Sequence, residues 1–282
     1  MIRPDGRSNA SMLRPLSAEL SPLHRADGSA KFSCGQTSVL AAVYGPASGT
    51  RELSSQNAQI SVVVKQGTKG GSSSSSSIGL ACCDARELEH IIQRSISTCV
   101  LTSLYPRSII EIVLQVLKED GSVVSAAFNA AVIALMDANI GFICVPIATT
   151  CLVNHNNAVI NLDPTAEEET NPINDDNATL VVLITAAAPP KHAVDNKGGE
   201  KQDVVIASLT VPRLSVRKAS QTDTNTKDNN RFMSQQAYMS SIQASFRASK
   251  AIIEFIRMAM EVKVSKESKT VFQRSNGSQH VY

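Results

Sequence analysis

Tryptophan is absent from the 282 residues, and aromatic side chains make up only 4% of them. The core must therefore be built from Ala, Val, Ile and Leu. Rows of stacking aromatics, a common device for holding single strands without sequence preference, are excluded as well. Charge of one sign is also missing: the formal net charge is +2 and the sequence pI is about 8.2. So mild a balance leaves room only for a local basic patch toward nucleic acid. No unbroken apolar run reaches the roughly 20 residues that a membrane span needs. The most apolar stretch, 126–153, is interrupted by Asn129, Asp137, Asn139, Gly141 and Pro146, so it reads as buried core and no membrane partner is expected. Met1 to Arg7 lack the apolar centre of a signal peptide. The six cysteines show no C-x-x-C pairing for zinc. Most lie in apolar runs, where a free thiol behaves as a small hydrophobe, and a reducing intracellular compartment follows. His24, His90, His155, His192 and His280 are scattered without metal-ligand spacing, so no metal site is expected from them. No nucleophile-elbow motif supports a Ser/His/Asp hydrolase, and no internal repeat is found.

Hydrophobic residues make up 43% of the chain, enough for a sizeable core. Ala30–Cys34 and Thr37–Tyr44 read as strands joined by a two-residue Gly35-Gln36 hairpin turn. Ile60–Lys65 is a third strand. The Gly- and Ser-rich segment 67–79 cannot bury enough apolar area to order itself and reads as a mobile loop. Leu88, Ile91, Ile92, Ser95, Ile96 and Cys99 recur at three-four spacing and predict an amphipathic helix over 87–102. Ser108–Leu117 is a β-branched strand ended by Asp120-Gly121. Ser125 is placed to cap a helix to Ala138 that is apolar on nearly every side and therefore central. Cys144–Val153 and Ala158–Leu162 read as a hairpin, and Thr179–Ala188 and Asp203–Thr210 as further strands. Polar insertions are expected at 189–202 and 215–230. Ser234 is placed to cap a long helix whose buried face carries Tyr238, Ile242, Phe246, Ser249, Ile253, Ile256 and Met260. The pattern predicts one α+β domain over 1–263 with a flexible polar tail over 264–282.

Several segments resemble the RNase PH family: Arg3-Pro-Asp-Gly-Arg7, Leu13-Arg14-Pro15, Asp27-Gly-Ser-Ala30, Gly35-Gln-Thr-Ser-Val-Leu40, Leu114-Gln-Val116, Asp120-Gly121 and the Ala-rich stretch from Asn129 to Asp137. They run in order over most of residues 2–262. Within the family, Val43-Tyr-Gly-Pro46, Asp120-Gly-Ser122 and Leu162-Asp-Pro-Thr165 look most like a ring subunit of the eukaryotic exosome. The resemblance implies an RNase PH-type fold of mixed sheets on two central helices, with a long C-terminal helix. It also implies a six-membered ring of RNase PH-type subunits with RNA threading its pore. A role in rRNA maturation and mRNA turnover follows, in the nucleus and nucleolus and also the cytoplasm.

Active members use three clusters, and here each is altered. An Arg is expected just before the first long helix, where Asp84 stands with Arg86 two residues later. A Thr-Arg pair should follow the Asp-Gly turn to hold phosphate at a helix start, but Val123-Val124 stand there. A helix start still offers N–H groups to an anion. Loss of a charge-assisted hydrogen bond of about 1.5–3 kcal/mol nevertheless weakens phosphate binding roughly tenfold to over a hundredfold. The phosphate site is read as lost at Asp84, Val123 and Val124. The third cluster is a pair of acids six apart: Asp163 matches the first, and Glu169 stands where the second Asp would be. They read as a solvated acidic turn, as an inert remnant of a catalytic pair, or as the carboxylates of a Mg2+-assisted nuclease acting on RNA or DNA, alone or as a homodimer. No cofactor is expected outside that last reading. Arg86 and Arg94, eight residues apart on the predicted helix, are candidate RNA-phosphate contacts, the alternative being solvated helix charge. Lys263, Lys266, Lys269 and Arg274 make the tail basic, as an RNA contact or as a solubilising extension.

Overall fold

Gly35-Gln36 turns a hairpin, with Gly35 at φ +60, between β2 (Gly28–Cys34) and β3 (Thr37–Ser48). These elements belong to a computed structural model that describes residues 3–48, 56–66, 85–154, 159–170, 178–187, 204–212 and 233–277. The segments expected to be mobile at 67–79 and inserted at 189–202 and 215–230 lie outside the described residues. β1 (Leu16–Leu20) pairs antiparallel with β2, and β5 (Ser108–Lys118) with β3. β4 (Gln59–Gln66) runs parallel to β5, which requires a crossover, and α1 (Ala85–Cys99) lies within it. The first sheet has the order β1-β2-β3-β5-β4. The second is wholly antiparallel in the order β7-β6-β8-β9, from β6 (Val145–Asn154), β7 (Ile160–Leu162), β8 (Ala178–Ala187) and β9 (Val204–Pro212). One continuous core cluster draws on both sheets and on the helices. The α+β class read from the pattern is the class observed.

α2 (Val123–Asp137) joins the sheets, packing on β2, β3, β5 and β6, and every residue from Val123 to Leu135 is buried. Its all-round apolar sequence has this placement as its cause. Asn129, an interruption in the apolar run, completes β6 where β7 stops short. Its Nδ2 donates to the Ala148 carbonyl at 3.0 Å, and the Ala148 N–H donates to its Oδ1 at 2.9 Å. A buried strand edge is thereby satisfied without a neighbouring strand.

Three expectations are corrected. Ser125 does not cap α2. The helix starts three residues earlier, with Ser122 as N-cap in the left-handed region at φ 52, and Ser125 Oγ donates back to the Ser122 carbonyl at 2.9 Å. The first helix stops at Cys99 because the chain leaves it for a backbone bridge between Val100 and Phe142. The stretch expected as a flexible tail over 264–282 is helical as far as it is described, since α4 spans Gln235–Gly277. Ser234 does cap α4, its Oγ accepting from the Ala237 N–H at 3.2 Å.

The centre of α4's buried face also differs from expectation. It follows Ala237, Ser241, Ser245, Ala248, Ser249, Ile252 and Ile256, while Tyr238, Ile242, Phe246 and Ile253 flank it half-buried. Small residues let the helix approach β6, and Ser245 Oγ hydrogen-bonds Thr149 Oγ1 across the contact. Ser241 and Ser249 donate to the carbonyls of Tyr238 and Phe246, so their buried hydroxyls stay satisfied. Among the described residues no helix is long and apolar enough to cross a membrane.

Candidate functional site

The N-terminal arm carries Arg3, Arg7 and Arg14, all at most 8% exposed. A buried guanidinium needs acceptors for five N–H groups, and the end of β7, the turn after it and α3 (Ala166–Thr170) supply acceptors to all three. Arg3 forks onto Glu168 at 2.7 and 2.6 Å and reaches the Leu162 carbonyl at 2.9 Å. Arg7 donates to the Asp163 carbonyl at 2.9 Å and to that of Met12 at 2.6 Å. Arg14 forks onto the Asp163 carboxylate at 2.9 and 2.6 Å, and its backbone N–H donates to the same carboxylate at 3.1 Å. Its remaining donors reach the carbonyls of Asp120 and Gly121. Thr37 Oγ1 ties the Asp120-Gly121 turn to β3, donating to the Gly121 carbonyl at 2.7 Å and accepting from the Asp120 N–H at 3.1 Å.

Asp163, at φ 51, is thus the acid at the centre of a clamp. Burial alone would push its carboxyl up. The hydrogen bonds and charge of Arg14 outweigh that and hold it below the usual carboxylate range, with the Cys34 thiol adding a donor at 3.0 Å. Arg14 responds in kind: burial pulls its pKa down, but Asp163 raises it above the ordinary value.

Glu169 Oε1 accepts the Ser122 N–H at 2.7 Å, and Ser122 Oγ donates to the Pro164 carbonyl at 3.0 Å. The start of α2, read as an exposed anion site, is therefore buried and already faces a carboxylate of its own chain. That carboxylate complements the positive end of the helix dipole. Val123 and Val124 are each 4% exposed. The acidic run is not a solvated turn either, because Glu168 and Glu169 are buried and only Glu167 is exposed. Both members of the predicted acid pair hold the structure together. Among the described residues no three His, Cys, Asp or Glu side chains converge to hold a metal ion.

Asp84 lies outside the described residues. Arg86 and Arg94 are both exposed on α1. Two turns separate them, about 12 Å along the axis and roughly 80° around it. Only Arg94 overlooks a groove, of about 160 Å3, lined with Ile91, Val124, Val182, Ile184 and Leu209. The structure thus sets Arg94 beside Val124 and leaves Arg86 apart.

The model of the 3' exoribonuclease family, domain 1 (RNase PH), matches residues 12–141. The exosome complex exonuclease RRP46 homolog of Oryza sativa subsp. japonica is 31% identical over 260 residues, 92% of this chain and 95% of that protein. The chain belongs to the RNase PH family. The Arabidopsis thaliana RRP46 homolog is 39% identical over 169 residues, spanning 59% of this chain and 65% of that protein. The crystal structure of rice Rrp46 aligns at TM-score 0.67 and 29% identity, covering 90% of this chain and 98% of that one. An Archaeoglobus fulgidus exosome with RNA bound to the active site aligns at TM-score 0.62 and 19% identity, a likeness of fold alone, covering 89% of this chain and 91% of that one.

Within this RNase PH domain, the clamp residues Arg3, Arg7, Arg14 and Glu168 carried no role in the sequence reading. The two N-terminal motifs that hold the arginines marked them as family features without naming their partners. Three arginines within twelve residues, in a chain with little net charge, were the available signal.

Proposed function

We propose that this chain is a non-catalytic ring subunit of an RNA exosome, supporting assembly and RNA guidance in 3'-to-5' processing and decay. Its partners are other RNase PH-type subunits in a six-membered ring, and its ligand is single-stranded RNA. The observation that carries this reading is the start of α2, where Val123 and Val124 are buried and the Ser122 amide is taken by Glu169. Val123 and Val124 themselves offer an attacking phosphate neither a guanidinium nor a hydroxyl. The relatives named as exosome components support the assembly. Work in the nucleus, nucleolus and cytoplasm belongs to the same proposal, and no cofactor is required. A Mg2+-assisted nuclease reading is disfavoured because Asp163 and Glu169 are committed to Arg14 and Ser122.

Two outcomes are expected of purified protein. Inorganic phosphate does not stimulate loss of labelled single-stranded RNA by the isolated chain. Nucleoside diphosphate release at the rate of an active family member would overturn the reading. RNA binding by the isolated chain is weak and steeply salt-dependent, and assembly into the ring raises affinity by multivalency. In the ring, Arg94→Ala lowers affinity about three- to tenfold and reduces the salt slope by about one. Arg86→Ala, away from the groove, has the smaller effect. Tight, sequence-selective binding by the monomer contradicts the proposal.

A further inference from the structure

Asp137 is the last residue of α2, and its side chain is only 3% exposed. It draws donors from β2, from the β1–β2 connection and from α4. The Ser29 N–H donates to its Oδ2 at 2.9 Å. Ser21 Oγ lies 3.0 and 2.9 Å from its two oxygens and donates its one proton to them. Lys263 forms an ion pair with the same carboxylate, and its Nζ also donates to Ser21 Oγ at 2.6 Å. A carboxylate at a helix C-terminus faces the negative end of the dipole, so this one depends on those donors. Ser21 is the exposed member of the group. It precedes Pro22, the one Ser-Pro step in a chain that has no Thr-Pro step. Its backbone is held at φ 54. Left-handed geometry is strained for a residue with a Cβ, and a following proline favours extended backbone instead. Opening the connection gives up the Ser21 N–H bond to the Ser29 carbonyl but releases that strain. An extended Ser-Pro segment is the form that a proline-directed kinase accepts.

We propose that Ser21 is a phosphorylation site for a proline-directed protein kinase, and that its phosphate draws Lys263 away from Asp137. The Ser21 oxygen attacks the γ-phosphorus of ATP, the bond from that phosphorus to the β-phosphate oxygen breaks, and ADP leaves. The serine proton passes to a base of the kinase. The product carries a charge of about −1.5 to −2 at neutral pH. It has no proton to give Asp137 and stands within contact distance of that carboxylate, where like charges repel. Lys263 already touches the Ser21 oxygen, so a small movement pairs it with the phosphate, the stronger anion. Asp137 then keeps only the Ser29 N–H. The β1–β2 connection moves away from α2. Ile256 is the last buried residue of α4 among the described residues, and beyond it the helix loses its ion pair to α2.

The test incubates the full chain with ATP and a purified mitogen-activated protein kinase, beside a free peptide of residues 17–27 that presents the motif without the fold. Peptide mapping by mass spectrometry is expected to place one phosphate on the chain, at Ser21, and Ser21→Ala to remove it. Amide hydrogen exchange then compares the phosphorylated and unmodified chains. Phosphorylation speeds exchange about tenfold at Ser29 and along α4 from 257 to 269, and leaves the centre of α2 unchanged. In Lys263→Gln, that part of α4 exchanges at the faster rate without phosphate, and phosphorylation adds nothing to it. The proposal fails if the kinase modifies the peptide but not the chain, modifies neither, or modifies another residue of the chain. It also fails if the phosphorylated chain exchanges at the parental rate or more slowly at Ser29 and along α4, since Asp137 would then have kept Lys263.

Discussion

Asp163→Asn lowers the stability of the fold by about 3–5 kcal/mol, the usual result of leaving a buried charge without its partner. Arg14 keeps its place and its charge, only 5% exposed, while the carboxylate that neutralised it is gone. Asparagine still offers one oxygen, but it cannot take the fork from Nε and Nη2 or return a negative charge. Because tryptophan is absent, unfolding is best followed by far-ultraviolet circular dichroism in urea. The pH dependence has a definite sign. Arg14 holds the folded Asp163 pKa below that of an unfolded aspartate. The stabilisation is therefore complete above the ordinary carboxylate value of about 3.9 and disappears as pH falls through the lower folded value. Asp163→Asn flattens that acid limb of the stability profile. A variant with parental stability at neutral pH and an unchanged acid limb would show that the pair contributes nothing. It follows that Asp163→Asn is a poor control for any nuclease assay, since lost activity would report lost folding. Glu169→Gln is the better one, because its amide oxygen still accepts the Ser122 N–H.

Gly121→Ala is expected to cost about 2–5 kcal/mol through left-handed backbone strain together with overpacking. Gly121 has φ +73, and a Cβ there would stand 2.4 Å from the Pro164 carbonyl oxygen and 2.7 Å from the Ala166 nitrogen. Those are backbone atoms and cannot swing aside. Relief requires parting the turn after β5 from the turn before α3, which breaks the hydrogen bonds of Ser122 to Glu169 and to the Pro164 carbonyl at the start of α2. The urea midpoint should fall accordingly, with faster amide exchange at Ser122 than in the parent. A loss below about 1 kcal/mol would mean that the two turns part easily and do not anchor α2.

The strands and helices were legible because their signals are local. Gly35-Gln36 allows the positive φ of a two-residue turn, and the stripe from Leu88 to Cys99 has the helical period. Burial was legible where it is apolar, as along α2. It was misread where polar residues are buried. Ser241 and Ser245 look like solvent-facing positions, yet both are buried, their hydroxyls satisfied by the Tyr238 carbonyl and by Thr149 of β6. Glu168 and Glu169 look like a solvated run because nothing adjacent in the chain neutralises them.

The sequence by itself determined the α+β element order and the central helix, since both depend on residue type and short-range spacing. The tertiary structure alone decided what the acids do. Arg14 and Asp163 are 149 positions apart, and Ser122 and Glu169 are 47 apart. Such pairings leave no periodic trace, because it is the packing of both sheets on α2 that brings the N-terminal arm against the β7–α3 turn. There, low dielectric makes an unpaired charge so costly that arginine and carboxylate occupy each other, and the acids that the sequence offers to chemistry become structural.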